Sequence, residues 1–112
     1  MPLLEAMACA KPVITISEGP SGDFCNARNS YLIPARTEAV ADDPPPLGPI
    51  VGEFTWFEPD FGELFRVIRH VFQNRTEAAA KGACAAESIR HLTWERVASQ
   101  YAARVRKLCD LA

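Results

Sequence analysis

Nothing in this chain approaches the roughly 20 consecutive apolar residues that a membrane-spanning helix needs, and no basic segment leads into an apolar core at Met1. A cytosolic protein with no transmembrane segment is the expectation. The twelve Lys and Arg residues are scattered, and the net charge is −2, so no basic stripe argues for nucleic acid as a partner. No G-x-G-x-x-G follows a strand-like run, which removes the usual signature of a dinucleotide-binding domain. Histidine is scarce: His70 and His91 stand apart, with no Cys or carboxylate at ligand spacing, and no metal is expected. Cys9, Cys25, Cys84 and Cys109 form no C-x-x-C pair. Reduced thiols are expected, with Cys9, Cys84 and Cys109 acting as small buried hydrophobes in helical patterns.

What is present is ordinary globular material. Of 112 residues 48% are hydrophobic and 23% charged, enough for one modest core and no more than one domain or part of one. The informative stretch is the first sixteen residues, MPLLEAMACAKPVITI. Pro2 suits the first position of a helix, because its missing N–H belongs to the donors left unpaired there. Leu3, Leu4 and Met7 cover one face, and Ala6, Ala8 and Ala10 allow close approach to a neighbour. Lys11 suits the negative end of the helix dipole and Pro12 stops the helix. The run V-I-T-I at 13–16 has the composition of a parallel strand buried on both faces. Glu5 is out of character in this unit. A carboxylate in the first helical turn either complements the dipole or accepts hydrogen bonds from a ligand's hydroxyls, and periodicity does not choose between the two.

Residues 17–23, S-E-G-P-S-G-D, are dense in turn formers and leave the strand at the edge where doubly wound sheets bind ligands. Gly19 and Gly22 would let backbone approach such a ligand, or the segment is a plain turn with Asp23 capping the short stretch 24–27. A second short strand is expected at 30–34. Residues 35–58 read as a long Pro-rich loop, with D-D-P-P-P and L-G-P arguing against helix and central strand, and a short extended piece carrying Trp56 and Phe57. Three helices close the chain. The first runs to about Asn74 with Phe61, Leu64, Phe65, Ile68, Val71 and Phe72 on one stripe. The second, at 77–91, is alanine-rich, capped by Thr76 and expected at the surface. Thr93 caps the third, whose Trp94, Val97, Ala98, Tyr101, Val105 and Leu108 recur at three and four.

The string MPLLEAMACAKPVIT resembles the donor-site helix of the GT-B retaining glycosyltransferases of the GT4 group, usually written E-G-x-G-L-P-x-L-E-A-M-A-C-G-x-P-V-I. Glu5 aligns with the second glutamate of that family's E-x7-E motif; the position of the first falls before Met1. Ala10 stands where the family has Gly. The run GPSGDFCNARNSYLIPAR, the W-x-E-P-D of Trp56, Glu58, Pro59 and Asp60, and the T-W-E-R-V-A of residues 93–98 are similar to further stretches of the group. The resemblance implies an α/β fold, the distal part of a Rossmann-like GT-B C-terminal domain with short parallel strands and C-terminal helices. It implies a nucleoside-diphosphate sugar as substrate, no separate cofactor, and an N-terminal acceptor domain as partner. Transfer would pass the sugar to an acceptor hydroxyl with retention, in the complete enzyme and not in these 112 residues alone. Glu5 would hold the ribose hydroxyls, with the backbone of Met1, Leu3 and Leu4 near the diphosphate and Gly19 and Gly22 on a possible donor-side loop. No catalytic residue is named. The stripe of Trp94, Tyr101 and Leu108, which packs on the N-terminal domain in the family, would be exposed or self-associated here. The competing class is a non-catalytic interaction or scaffold module derived from such an enzyme.

Overall fold

The computed structural model describes residues 2–39 and 55–109. These residues form a mixed α/β arrangement: a parallel strand pair, an antiparallel strand pair and four α-helices. Helix α1, Pro2–Ala8, begins at the proline and buries Met7 completely. Its end is closed by two reverse bonds, Ala10 N–H to the Met7 carbonyl and Lys11 N–H to the Ala6 carbonyl, both 2.9 Å. That pairing is a Schellman motif, which requires a left-handed residue, and Ala10 supplies it at φ 53°. The chain then enters β1, Ile14–Ile16, which pairs in parallel with β2, Tyr31–Ile33, in the register Ile14 to Tyr31. Val13 is buried, but β1 itself is only half-buried. The expectation of burial on both faces is not met, since all three residues of β1 are only half-buried.

Pro34 ends β2, and the chain turns directly into β3, Ala35–Ala39, which pairs antiparallel with β4, Thr55–Pro59. The reading of 35–58 as a loop is therefore corrected at 35–39, the extended piece expected to carry Trp56 and Phe57 is part of β4, and residues 40–54, with all four prolines of the stretch, lie outside the described residues. Periodicity misses the pair because β3 is almost wholly exposed and shows no apolar alternation. Its base is closed by Asp60 N–H donating to the Pro34 carbonyl at 3.0 Å.

Asp60 caps α2, Phe61–Gln73, through its carboxylate and the Glu63 N–H at 2.9 Å. At 100° per residue the apolar residues of α2 cover an arc of about 160°. Only one edge of that arc is used: Val67 is buried, with Leu64 and Val71 half-buried, against β2 and α3. Phe61, Phe65, Ile68 and Phe72 stay exposed. Helix α3, Arg75–Ser88, starts ahead of Thr76, so Thr76 lies inside it and does not cap it. Nor is it a surface helix. Ala78, Gly82 and Ala85 are buried, and the helix packs on α1 so closely that a Cβ at Gly82 would overlap the Ala10 carbonyl oxygen and lie 2.9 Å from its carbon. The core is Met7, Val13, Cys25, Ala85 and Ile89, with Leu3, Leu4, Phe24 and Leu32 packed against it. Each large side chain buried there contributes about 1.5–3 kcal/mol.

Helix α4, Trp94–Cys109, is capped by Thr93 Oγ1, which accepts from Arg96 N–H at 3.3 Å, and has no buried residue. The four thiols are free, yet the buried one is Cys25. Cys84 is half-buried, while Cys9 and Cys109, expected inside, are exposed at the ends of α1 and α4. Burial pushes the Cys25 thiol above its ordinary pKa, and its Sγ lies 3.9 Å from Met7 Sδ.

Candidate functional site

Helix α1 carries Glu5 in its first turn, on the exposed side of the helix. Its side chain is exposed and makes no hydrogen bond or ion pair among the described residues. It borders a groove of about 470 Å³ between α1 and the start of α4, lined by Leu4, Glu5, Ala8, Ile89, Leu92, Thr93, Trp94 and Val97. Almost everything around the carboxylate is apolar, and Trp94 is 84% exposed beside it. A carboxylate and an exposed indole on the walls of one largely apolar groove suit a ligand with hydroxyl donors and a hydrophobic or ring portion. The volume falls within the range of about 300–1,000 Å³ of small-molecule sites.

Of the other sequence-derived positions only Leu4 lines this groove. Met1 lies outside the described residues. The side chains of Leu3 and Leu4 are half-buried against the core. Gly19, at φ 84°, precedes a 3-10 turn, Pro20–Asp23, and its face lies 3.6 Å from the Phe57 ring of β4 when a Cβ is placed there. Gly22 is exposed and borders a separate cavity of about 320 Å³ with Phe24, Asn29, Ser88 and Leu92. Leu92 is the residue that borders both spaces. The loop at 17–23 is held by its own hydrogen bonds. Ser17 N–H donates to the Ile33 carbonyl at 2.8 Å, and Glu18 Oε2 accepts from Ser17 Oγ at 2.6 Å and from Ala35 N–H at 3.1 Å. Asp23 closes the 3-10 turn instead of capping a following helix.

Two features leave no signal in the sequence pattern. Asn29 is 1% exposed and ties the β1–β2 connection to α3: its amide donates to the Phe24 carbonyl at 2.8 Å and to Ser88 Oγ at 3.0 Å, and its Oδ1 accepts from Asn26 N–H at 2.8 Å. A cavity of about 380 Å³ between β2, α2 and α3 is lined by Tyr31, Arg66, His70, Glu77 and Lys81 among others. Lys81 donates to the Ala27 and Ser30 carbonyls and stands 4.9 Å over the Tyr31 ring. Asn74 Nδ2 lies 3.2 Å from His70 Nδ1, and His70 Nε2 lies 3.0 Å from Glu77, so a neutral imidazole here carries its proton on Nε2. Hydrogen bonding to His70 holds the Glu77 carboxyl below its usual range. Burial, with the Glu77 carboxylate adding to it, raises the Tyr31 phenol, whose buried hydroxyl meets no hydrogen-bond geometry among the described residues. Among the described residues no three His, Cys, Asp or Glu side chains converge as a metal site, and no helix is long and apolar enough to cross a membrane.

Comparison with family models, curated proteins and solved structures finds no match to this chain.

Proposed function

We propose that this chain is the donor-binding part of a GT4-like retaining glycosyltransferase, a partial Rossmann-like GT-B C-terminal domain that binds a nucleoside-diphosphate sugar in the cytosol. The single observation that carries the reading is Glu5: the residue that the donor-helix motif marks as the ribose acceptor has an exposed carboxylate free of protein partners among the described residues, on the wall of a groove of about 470 Å³. In this reading the carboxylate accepts from the two ribose hydroxyls, charge-assisted bonds worth roughly 1.5–3 kcal/mol each before the costs of desolvation and ordering. Leu3 and Leu4 contribute backbone N–H groups to the diphosphate. In the complete enzyme an N-terminal domain brings the acceptor, and the sugar passes to its hydroxyl with retained configuration. The base or acid of that step is not among the residues assigned here.

Calorimetric titration of uridine, guanosine and adenosine diphosphates into the protein and its Glu5→Ala variant tests the assignment. Loss of about tenfold or more in affinity for the preferred diphosphate is expected, and equal affinities would refute it. A second reading, an interaction module that keeps the fold without catalysis, is favoured by the uncovered apolar faces of α2 and α4. It predicts no diphosphate binding by either protein.

A further inference from the structure

The residues that line the groove between α1 and α4 offer three polar side-chain groups: the Glu5 carboxylate, the Thr93 hydroxyl and the indole N–H of Trp94. Thr93 Oγ1 is already engaged, accepting from Arg96 N–H at 3.3 Å to cap α4. Among the described residues no Asn, Gln, Arg, Lys or His lines the groove, and these are the side chains whose donors and acceptors tell one base from another. The lining holds one carboxylate and no cation, so the groove suits the nucleoside end of a nucleotide and not its phosphates.

Trp94 is the aromatic residue of that lining, and at 84% it is the most exposed large hydrophobe among the described residues. Its backbone is nonetheless fixed. It opens α4 directly after Thr93, whose carbonyl accepts from Val97 N–H at 3.0 Å, and the turn before it is closed by Leu92 N–H donating to the carbonyl of Ile89, a core residue, at 2.8 Å. A large ring left in water on an anchored backbone can receive a flat partner with little ordering cost. Trp56 and Tyr101, exposed as well, do not line the groove.

We propose, resting on the reading of Glu5 as the ribose acceptor, that Trp94 is the residue on which the nucleobase stacks, and that the groove is tolerant of the base in consequence. Stacking on an aromatic ring serves purine and pyrimidine alike, because every base has a π-face. With Glu5 taken by the ribose, the groove selects a nucleotide by its sugar hydroxyls and not by the edge of its base.

Calorimetric titration of the full chain with uridine, guanosine and adenosine diphosphates, and with the adenosine analogue lacking both ribose hydroxyls, tests the proposal beside Trp94→Ala, Trp94→Phe and Glu5→Ala. The wild type is expected to bind the three diphosphates within about fivefold of one another, and Trp94→Ala to bind all three about tenfold or more weakly while keeping the wild-type penalty for the analogue. Trp94→Phe, which keeps a ring, should recover most of the affinity. Trp94→Ala binding like the wild type, or a wild type that prefers one base by more than about tenfold, would overturn the proposal. If Glu5→Ala alone then removes the penalty for the analogue, the ribose reading stands without the stacking. Diphosphates that bind no protein of the set would overturn both.

Discussion

Gly82 of α3 lies against the backbone carbonyl of Ala10, so close that the two helical segments meet main chain to main chain. The neighbour is a carbonyl in a closed Schellman turn, not the end of a flexible side chain, and has little room to give. Gly82→Ala is therefore expected to destabilise the fold by about 2 kcal/mol or more, despite alanine's better helix propensity, as read in urea denaturation. A neutral or stabilising result would show that α1 and α3 do not pack this way.

The other side of the same contact predicts the opposite sign. Ala10 holds φ 53°, a conformation that costs an L-residue about 1–2 kcal/mol, and a glycine would remove that strain while adding unfolded-state entropy. Ala10→Gly should stabilise by about 0.5 kcal/mol, visible as a higher midpoint at unchanged slope.

Asn29 is the buried polar group with the most to lose. Truncating it removes the side-chain partner of both the Phe24 carbonyl and the Asn26 N–H, while Ser88 Oγ keeps its bond to the Ala85 carbonyl. Asn29→Ala is expected to cost about 2–4 kcal/mol by the same denaturation measurement, and Ser88→Ala, which removes one of these partners, markedly less.

Acid stability should depend on Glu77. A carboxyl whose pKa is held down by His70 in the folded chain contributes stability that is present above the ordinary glutamate value, near about pH 4.3, and is lost as pH falls through the lowered one. Melting temperatures between about pH 6 and 3 should fall less steeply in Glu77→Gln than in the wild type. Parallel curves would remove Glu77 from the acid response.

How much of the fold is legible depends on where bulk and alternation lie. Helices α2 and α4 carry large apolar residues at helical spacing with Asp60 and Thr93 before them, so their existence is plain in the sequence, as is the Thr93 cap. Which edge of α2 is buried is not. Periodicity marks Phe61, Phe65, Ile68 and Phe72 as strongly as Leu64 and Val71, and the fold covers the side next to Val67. Helix α3 reads as a surface helix because its buried face is Ala78, Gly82 and Ala85, which carry almost no hydrophobic volume. Backbone proximity leaves no trace in a pattern of bulky residues. The β3–β4 pair hides for the related reason that its strands are mostly exposed and its register rests on main-chain bonds. Glu5 is visible through its motif, yet the aromatic neighbour it shares a groove with, Trp94, lies far along the chain and is brought beside it only by the fold.

The central claim is that Glu5 accepts the two ribose hydroxyls of a nucleotide. It is tested most directly by titrating the wild type and Glu5→Ala with the preferred nucleoside diphosphate and with its analogue lacking both ribose hydroxyls. The wild type should bind the analogue at least about tenfold more weakly, while Glu5→Ala binds the two ligands alike, because the partner that distinguishes them is gone. The same loss in both proteins, or none in the wild type, would contradict the account.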